Sequence, residues 1–312
     1  MQTESLFDVI GDIHGHADAL HQLLERLGYS KSNGAYQHPE RKTLFLGDFI
    51  DRGPAQMEVL SIVRDMMEAG QAESVMGNHE LNAIGWFHEG SDGQPLRPRS
   101  HKNRVQHQAF LDQVGEGTQL HHSWIDWFMT LPIWIKKPHL QLVHACWCET
   151  SMNQIMPLLT PHLQLQPEYL HGFFQKNTAA YRSIETLLKG VEVDLPAGYS
   201  FQDKDGTHRR TTRIQWWKGG RESHETTLDR VVMMPEKFAS QLPKTPVGDS
   251  LEAYGSIRKP TFIGHYWLDG EPSPLTDWLA CLDYSIAKAG RLVAYRFSGE
   301  MCLNRSGFVA HQ

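Results

Sequence analysis

Five short stretches of this 312-residue chain concentrate side chains able to bind cations or move protons. Gly11-Asp12-Ile13-His14-Gly15 carries Asp12 and His14. Gly47-Asp48-Phe49-Ile50-Asp51-Arg52-Gly53 carries Asp48, Asp51 and Arg52. Gly77-Asn78-His79-Glu80 follows, and lone histidines stand at His144 and His265. Residues two apart in an extended backbone point to the same side, so Asp12 and His14 can approach one ion together. A carboxylate beside an imidazole suits manganese, iron or zinc better than a pure magnesium or calcium cage. Asp48, with two oxygens, is the natural bridge between two cations. Asn78 offers a neutral carbonyl oxygen, and His144 and His265 supply nitrogens to the second ion.

Two such ions, about 3.5–4 Å apart, lower the pKa of a shared water and hold attacking and leaving oxygens in line. Two divalent cations, the Asp12 and Asp48 carboxylates and a bridging hydroxide sum to about +1, which suits a phosphate dianion. Asn rather than Asp at position 78 helps keep that balance positive. His79 can act as general acid toward the leaving oxygen, with Asp51 orienting its other nitrogen. Arg52 can grip phosphate oxygens with its planar fork. The chemistry these residue types imply is metal-assisted hydrolysis of a phosphate ester.

Positioning these groups requires strands that stop where the motifs begin. The β-rich run from Leu6 to Ile10 predicts a buried strand ended by Gly11. Ala17, Leu20, Leu23, Leu24 and Leu27 then follow at helical spacing, with Gly28 as the stop. The run 43–46 predicts a second strand, Pro54 stands where a helix begins, and 73–76 predicts a third strand ending at Gly77. Strand, functional loop and helix in repetition is the pattern of an α/β protein with ligands at strand C-termini. Glycine before each ligand allows a sharp turn or a close approach of backbone to an ion.

Helical patterns continue after Glu80, over 105–114 and over 122–129. The Gly- and Pro-broken segment 89–104, with Arg97, Arg99, Lys102 and Arg104, reads as a solvated surface loop. Residues 131–135 and 140–143 predict a hairpin that delivers His144. Proline-broken helices fill 151–189, and 191–227 turns polar and irregular, with Arg209, Arg210, Arg213 and the pair Trp216-Trp217. Substrate selection is expected in this insert, about 151–227, set into a single domain spanning 1–312. Residues 261–263, 278–282 and 291–297 predict late strands. His121 and His122 read as surface, and Trp216-Trp217 as core or rim packing.

A hydrophobic fraction of 40% is ample for a core. The net charge of -6 provides no global field for duplex nucleic acid or an anionic membrane. No run approaches the roughly 18 apolar residues needed to span a bilayer. The start of the chain lacks a basic n-region and a long apolar core. Four cysteines, Cys146, Cys148, Cys281 and Cys302, are too few for a disulfide framework, and a reducing cytoplasmic setting is expected.

The motifs, as they stand here, resemble those of the metallophosphoesterase (calcineurin-like) superfamily. The Asp51-Arg52-Gly53 ending and the Gly77-Asn78-His79-Glu80 form resemble its bacterial phosphoprotein-phosphatase branch. The resemblance implies an α/β fold of four layers, two mixed β-sheets packed face to face with flanking helices. It implies Asp12, His14 and Asp48 on one metal and Asp48, Asn78, His144 and His265 on the other, manganese first among the choices. It further implies phosphate binding by Arg52, Asn78 and His79, and by Arg213 as the second arginine usual in that branch. The expected reaction is phosphate-monoester hydrolysis by a metal-bridging hydroxide, on phosphorylated Ser, Thr or Tyr in proteins. The alternative is a symmetrical dinucleoside polyphosphatase or other nucleotide phosphatase. A non-catalytic regulatory protein on this scaffold would be expected to lose ligands, and none is missing here.

Overall fold

The computed structural model describes residues 6–202, 208–219, 226–247, 251, 254 and 257–311. The chain's first five residues lie outside these, as do 203–207 and 220–225 within the expected insert.

Two mixed sheets form the centre. In the first, β1 (Leu6–Ile10) lies parallel to β2 (Arg41–Phe45), which lies parallel to β3 (Ala72–Ser74). In the second, the antiparallel hairpin of β4 (Trp134–Lys136) and β5 (Gln141–Val143) continues in parallel through β6 (Thr261–Ile263) and β7 (Leu279–Cys281). Strands β8 (Asp283–Tyr284), β9 (Arg291–Phe297) and β10 (Phe308–Ala310) complete the first sheet, with β9 antiparallel to β1.

Strand alternation explains the layering. Phe7 and Val9 of β1, Leu44 of β2, and Val293, Tyr295 and Phe297 of β9 share one apolar cluster with Leu142, Phe262 and Ala280 of the other sheet. That cluster is the layer between two sheets packed face to face. Ile10 and Phe45 point the other way, into a second cluster with α1 (Ala17–Arg26) and α2 (Gln56–Glu68). Val143, Ile263 and Cys281 likewise meet Ile184, Leu187 and Leu188 of the helix Ala179–Lys189. Helices therefore cover both outer faces, and the expected four layers are present.

Between β3 and β4 the chain forms α3 (Asn78–Phe87), α4 (His101–Val114) and α5 (Gln119–Met129). Asp8, outward from β1, is fully buried and held by Arg41 Nε at 3.0 Å, Arg296 Nε at 3.3 Å and the Tyr29 hydroxyl at 3.1 Å. None of the described helices is long and apolar enough to cross a membrane.

The insert has broken helices over 149–189 and then short strand pairs, Glu192–Asp194 with Thr211–Arg213 and Phe201–Gln202 with His208–Arg209. Trp216 is fully buried, its indole N–H 2.9 Å from the Tyr266 hydroxyl, so it belongs to the core. Two expectations fail here. His121 is buried, since α5 turns it toward Phe110 and Phe87. Arg97 is half-buried rather than solvated, with its guanidinium 2.8 Å from Gln106 Oε1.

Candidate metal centre

The loops after β1, β2, β3, β5 and β6 converge at the strand C-termini. His14 Nδ1 donates to the Ile50 carbonyl at 3.0 Å, and His144 Nδ1 to the Leu46 carbonyl at 2.6 Å. Each bond fixes its ring so that Nε2 faces inward, the arrangement by which outer partners orient metal ligands. Asp48 Oδ1 accepts the His79 amide at 2.9 Å. Its Oδ2 faces His144 Nε2 at 3.3 Å, His14 Nε2 at 3.7 Å and His79 Nε2 at 3.9 Å. Asn78 Oδ1 lies 3.2 Å from His144 Nε2. Asp12 Oδ2 accepts the His265 amide at 3.0 Å.

Whether these residues fit metal ions is tested by what they leave unmet. Asp12 Oδ1, His14 Nε2 and His265 Nε2 are buried without a hydrogen-bond partner among the described residues. Buried polar atoms are rarely orphaned in this way, and three in one pocket call for a missing partner. Ligand atoms of Asp48, His144 and His265 lie within 4.8 Å of one another, as do those of His14, Asp48 and His79. Both groups share Asp48. The mixed oxygen and nitrogen donors suit divalent transition metals.

The electrostatics agree. Burial, then the Asp283 charge, holds Asp12 well above the usual carboxylate range. Burial pushes Asp48 the same way, but His144 and His79 outweigh it and bring the carboxyl well below its usual value. Burial opposes a charge on His144, yet Asp48 and Asp12 raise it to about 10. Burial and neighbouring His79 lower His14 to about 4. His265 is lowered by burial and then by the Arg213 and His144 charges. Acids and bases forced this far apart are the mark of a functional cleft.

Local backbone strain marks the same residues. His14, Asp48, Asp51, Arg52 and His265 all have positive φ, between 48° and 75°, a region that side chains other than glycine rarely adopt. Where a Cβ cannot fit, glycine stands. A Cβ on Gly47 would lie 2.3 Å from the Gly77 nitrogen, and one on Gly264 would lie 2.0 Å from Asp12 Oδ1. At Gly47 the close neighbour is thus the backbone of the adjacent loop.

His79 opens α3, where its Nδ1 meets Asp51 Oδ2 at 2.5 Å. Burial lowers His79, but Asp48 and Asp51 raise it above its usual value on balance. The guanidinium of Arg52 is exposed and sits 5.5 Å from the Trp267 ring centroid, with Lys288 Nζ 4.4 Å from the same centroid. Arg213 Nε is 4.0 Å from Glu192 Oε1 and has no hydrogen bond among the described residues. Its charge acts on His265 and Tyr266.

Two residues here were missed as contributors. Glu80 is fully buried, and its carboxylate accepts the amides of Asp48 at 2.9 Å, Phe49 at 2.8 Å and Gly77 at 3.0 Å, tying two metal loops together. Burial, then Asp48, pushes Glu80 up to about 7, against those donors. His107 donates from Nδ1 to Asp51 Oδ1 at 2.8 Å. The available signal was periodic: His107 leads the buried stripe His107, Phe110, Leu111, Val114 on α4.

Residues 6–156, just under half of the chain, match the family model for calcineurin-like phosphoesterases. Among curated relatives, a protein of Halalkalibacterium halodurans named bis(5'-nucleosyl)-tetraphosphatase PrpE, asymmetrical, is 35% identical over 128 residues. That match covers 38% of this chain and 52% of the relative. The protein of the same name from Bacillus subtilis is 43% identical over 74 residues, 23% of this chain and 30% of that one. The chain thus spans about half, or less, of the length of the curated relatives it matches. A protein serine/threonine phosphatase structure from Saccharomyces cerevisiae aligns at a TM-score of 0.49 and 12% identity, covering 99% of this chain and 79% of that one. A cold-active protein-tyrosine phosphatase structure from a Shewanella species aligns at 0.46 and 16%, covering 99% and 80%.

Proposed function

We propose that this protein is a metal-dependent phosphohydrolase whose substrate is nucleotidic, a dinucleoside polyphosphate cleaved at a phosphoanhydride bond being first among the candidates. The observation that carries the hydrolase reading is the pair of buried groups that share Asp48, His14 with His79 and His144 with His265, together with the unpartnered buried atoms of Asp12, His14 and His265. Asp12, His14 and Asp48 would hold one ion, and Asp48, Asn78, His144 and His265 the other. When bound, such ions supply an activated water and neutralise charge on the phosphoryl group.

The protein's own residues do the rest. Asp51 stays ionised because His107 and His79 outweigh its burial. It holds His79 Nδ1, so that Nε2, on the Asp48 side, is the atom that protonates the leaving oxygen. Arg52 and Arg213 bind phosphate oxygens from the two flanks.

Two observations support the nucleotidic reading over the phosphoprotein one expected from the motifs. The curated relatives that match part of the chain carry a dinucleoside tetraphosphatase name, and an asymmetrical one rather than the symmetrical kind. Beside His265, the Trp267 ring with Arg52 and Lys288 against it offers a base or further phosphates an aromatic and cationic rim. Trp216, being core, takes no part. The phosphoprotein reading keeps one specific support, the His79–Asp51 pair, because a serine or threonine alkoxide needs a proton on leaving far more than a nucleotide phosphate does.

The test is a panel of aryl phosphate, phosphopeptides and dinucleoside polyphosphates, assayed with added Mn and with His79→Asn as control. Preferential cleavage of a dinucleoside polyphosphate is expected. Turnover of phosphopeptides alone would restore the phosphoprotein reading, and no turnover of any substrate would defeat the hydrolase reading.

A further inference from the structure

Asp51 is gripped from both sides. His79 Nδ1 lies 2.5 Å from Oδ2, and His107 Nδ1 lies 2.8 Å from Oδ1. All three side chains are buried, with His107 and Asp51 fully so. A carboxylate with one partner can rotate about its Cβ–Cγ bond, whereas imidazole donors on separate oxygens hold its plane. The backbone adds to this hold, because Asp51 has φ 70° and its amide donates to Gln56 Oε1 at 2.7 Å. The His107 ring is confined in turn by Trp86 at 5.8 Å and Phe110 at 5.1 Å between centroids. Its other nitrogen has no hydrogen-bond partner among the described residues, so Asp51 is its one polar contact there. Arg97, on the loop before α4, and His14 also interact with the Asp51 charge, and His121 of α5 is a titratable neighbour of His107.

We propose that His107 is a positioning residue for the proton donor: by holding the far oxygen of Asp51, it keeps the near one on His79 Nδ1 and His79 Nε2 aimed at the leaving group. His107 itself touches neither substrate nor metal. The inference rests on the hydrolase reading for its consequence, and on hydrogen bonds alone for its geometry.

The experiment compares His107→Asn with His107→Gln. The asparagine amide nitrogen falls near the position of imidazole Nδ1, while the glutamine amide falls near Nε2, so the two differ in where the donor lies rather than in polarity. Each is assayed in the full chain on p-nitrophenyl phosphate, whose phenol leaves readily, and on phenyl phosphate, whose phenol needs the proton more. General acid catalysis contributes about a hundredfold to ten-thousandfold, so losing its alignment should cost His107→Gln at least about tenfold more on phenyl phosphate than on p-nitrophenyl phosphate. His107→Asn should stay within about threefold of wild type on both, on the same scale. Independently of turnover, NMR of the metal-free protein should show a downfield His79 Nδ1 proton that His107→Asn retains and His107→Gln shifts or loses.

Equal losses on both esters, or a His79 proton unmoved in His107→Gln, would overturn the proposal. A wild type inactive on both aryl esters and on dinucleoside polyphosphates would count against the hydrolase reading instead, leaving the NMR comparison to decide the role of His107.

Discussion

Replacing Glu80 by glutamine should destabilise the protein and weaken its hold on metal. The carboxylate serves three amides, with Oε2 accepting from Asp48 and Gly77 and Oε1 from Phe49. A glutamine of the same shape has one carbonyl oxygen. In the better orientation that oxygen keeps the Asp48 and Gly77 amides, and the new NH2 group faces the Phe49 N–H. One hydrogen bond to a charged acceptor is lost, at about 1.5–3 kcal/mol, and a buried N–H is orphaned, at about 1–3 kcal/mol. Removing a buried charge beside Asp48 gives some of this back, since burial and Asp48 already push Glu80 up to about 7. A net loss of about 2–4 kcal/mol follows. The loops that carry Asp48 and Asn78 would then be less firmly joined, and loss of such an outer partner typically lowers metal affinity about 10–100-fold. Urea denaturation of metal-free protein at pH 7.5, with calorimetric titration of Mn, measures both quantities. A Glu80→Gln protein with an unchanged midpoint and unchanged Mn affinity would refute the reasoning.

Other perturbations have calculable directions. Arg41→Met strands the fully buried Asp8. Because Arg296 and Tyr29 remain on that carboxylate, the cost should fall at the low end of the range for a broken buried pair, about 3 kcal/mol, read from the same denaturation curves. Asn78→Asp adds a negative charge where phosphate must sit, so inhibition by inorganic phosphate should weaken. Equal or tighter inhibition at unchanged metal content would count against that charge balance. His121 accepts the Gly117 amide at 3.1 Å, and burial, then His107, lowers it from 6.5 to about 4. The unfolded chain therefore takes up a proton near pH 6.5 that the folded one refuses until about pH 4, so stability should fall as pH drops through that window. His121→Asn should give a shallower dependence of the urea midpoint between pH 7 and 4.5, and an identical slope would exclude His121 as a contributor.

Much of the candidate centre was legible because its information is local. Strands β1, β2 and β3 announce themselves by short β-rich runs, and each ends at a glycine that introduces the next motif. The helices α1 and α2 follow from apolar spacing and stop near Gly28 and Gly70, both at positive φ. Asp12, His14, Asp48, Asn78, His144 and His265 were named from residue type and order along the chain, with the family resemblance supplying the sheet-on-sheet arrangement. Local patterns read less well where a polar residue lies on a buried face. Local spacing reads His121 as surface and Arg97 as solvated loop, and does not set His107 apart within α4.

What the sequence determined by itself was the inventory: which side chains end which strands, and therefore which chemistry they can share. Only the tertiary structure decided the partnerships, since they join residues far apart in sequence: Glu80 to the amides of Asp48 and Phe49, His107 to Asp51, and Arg213, through its charge, to His265. Periodicity encodes which way a side chain faces relative to its own element. It carries no information about which distant group will meet that side chain once burial removes the water that would otherwise satisfy both.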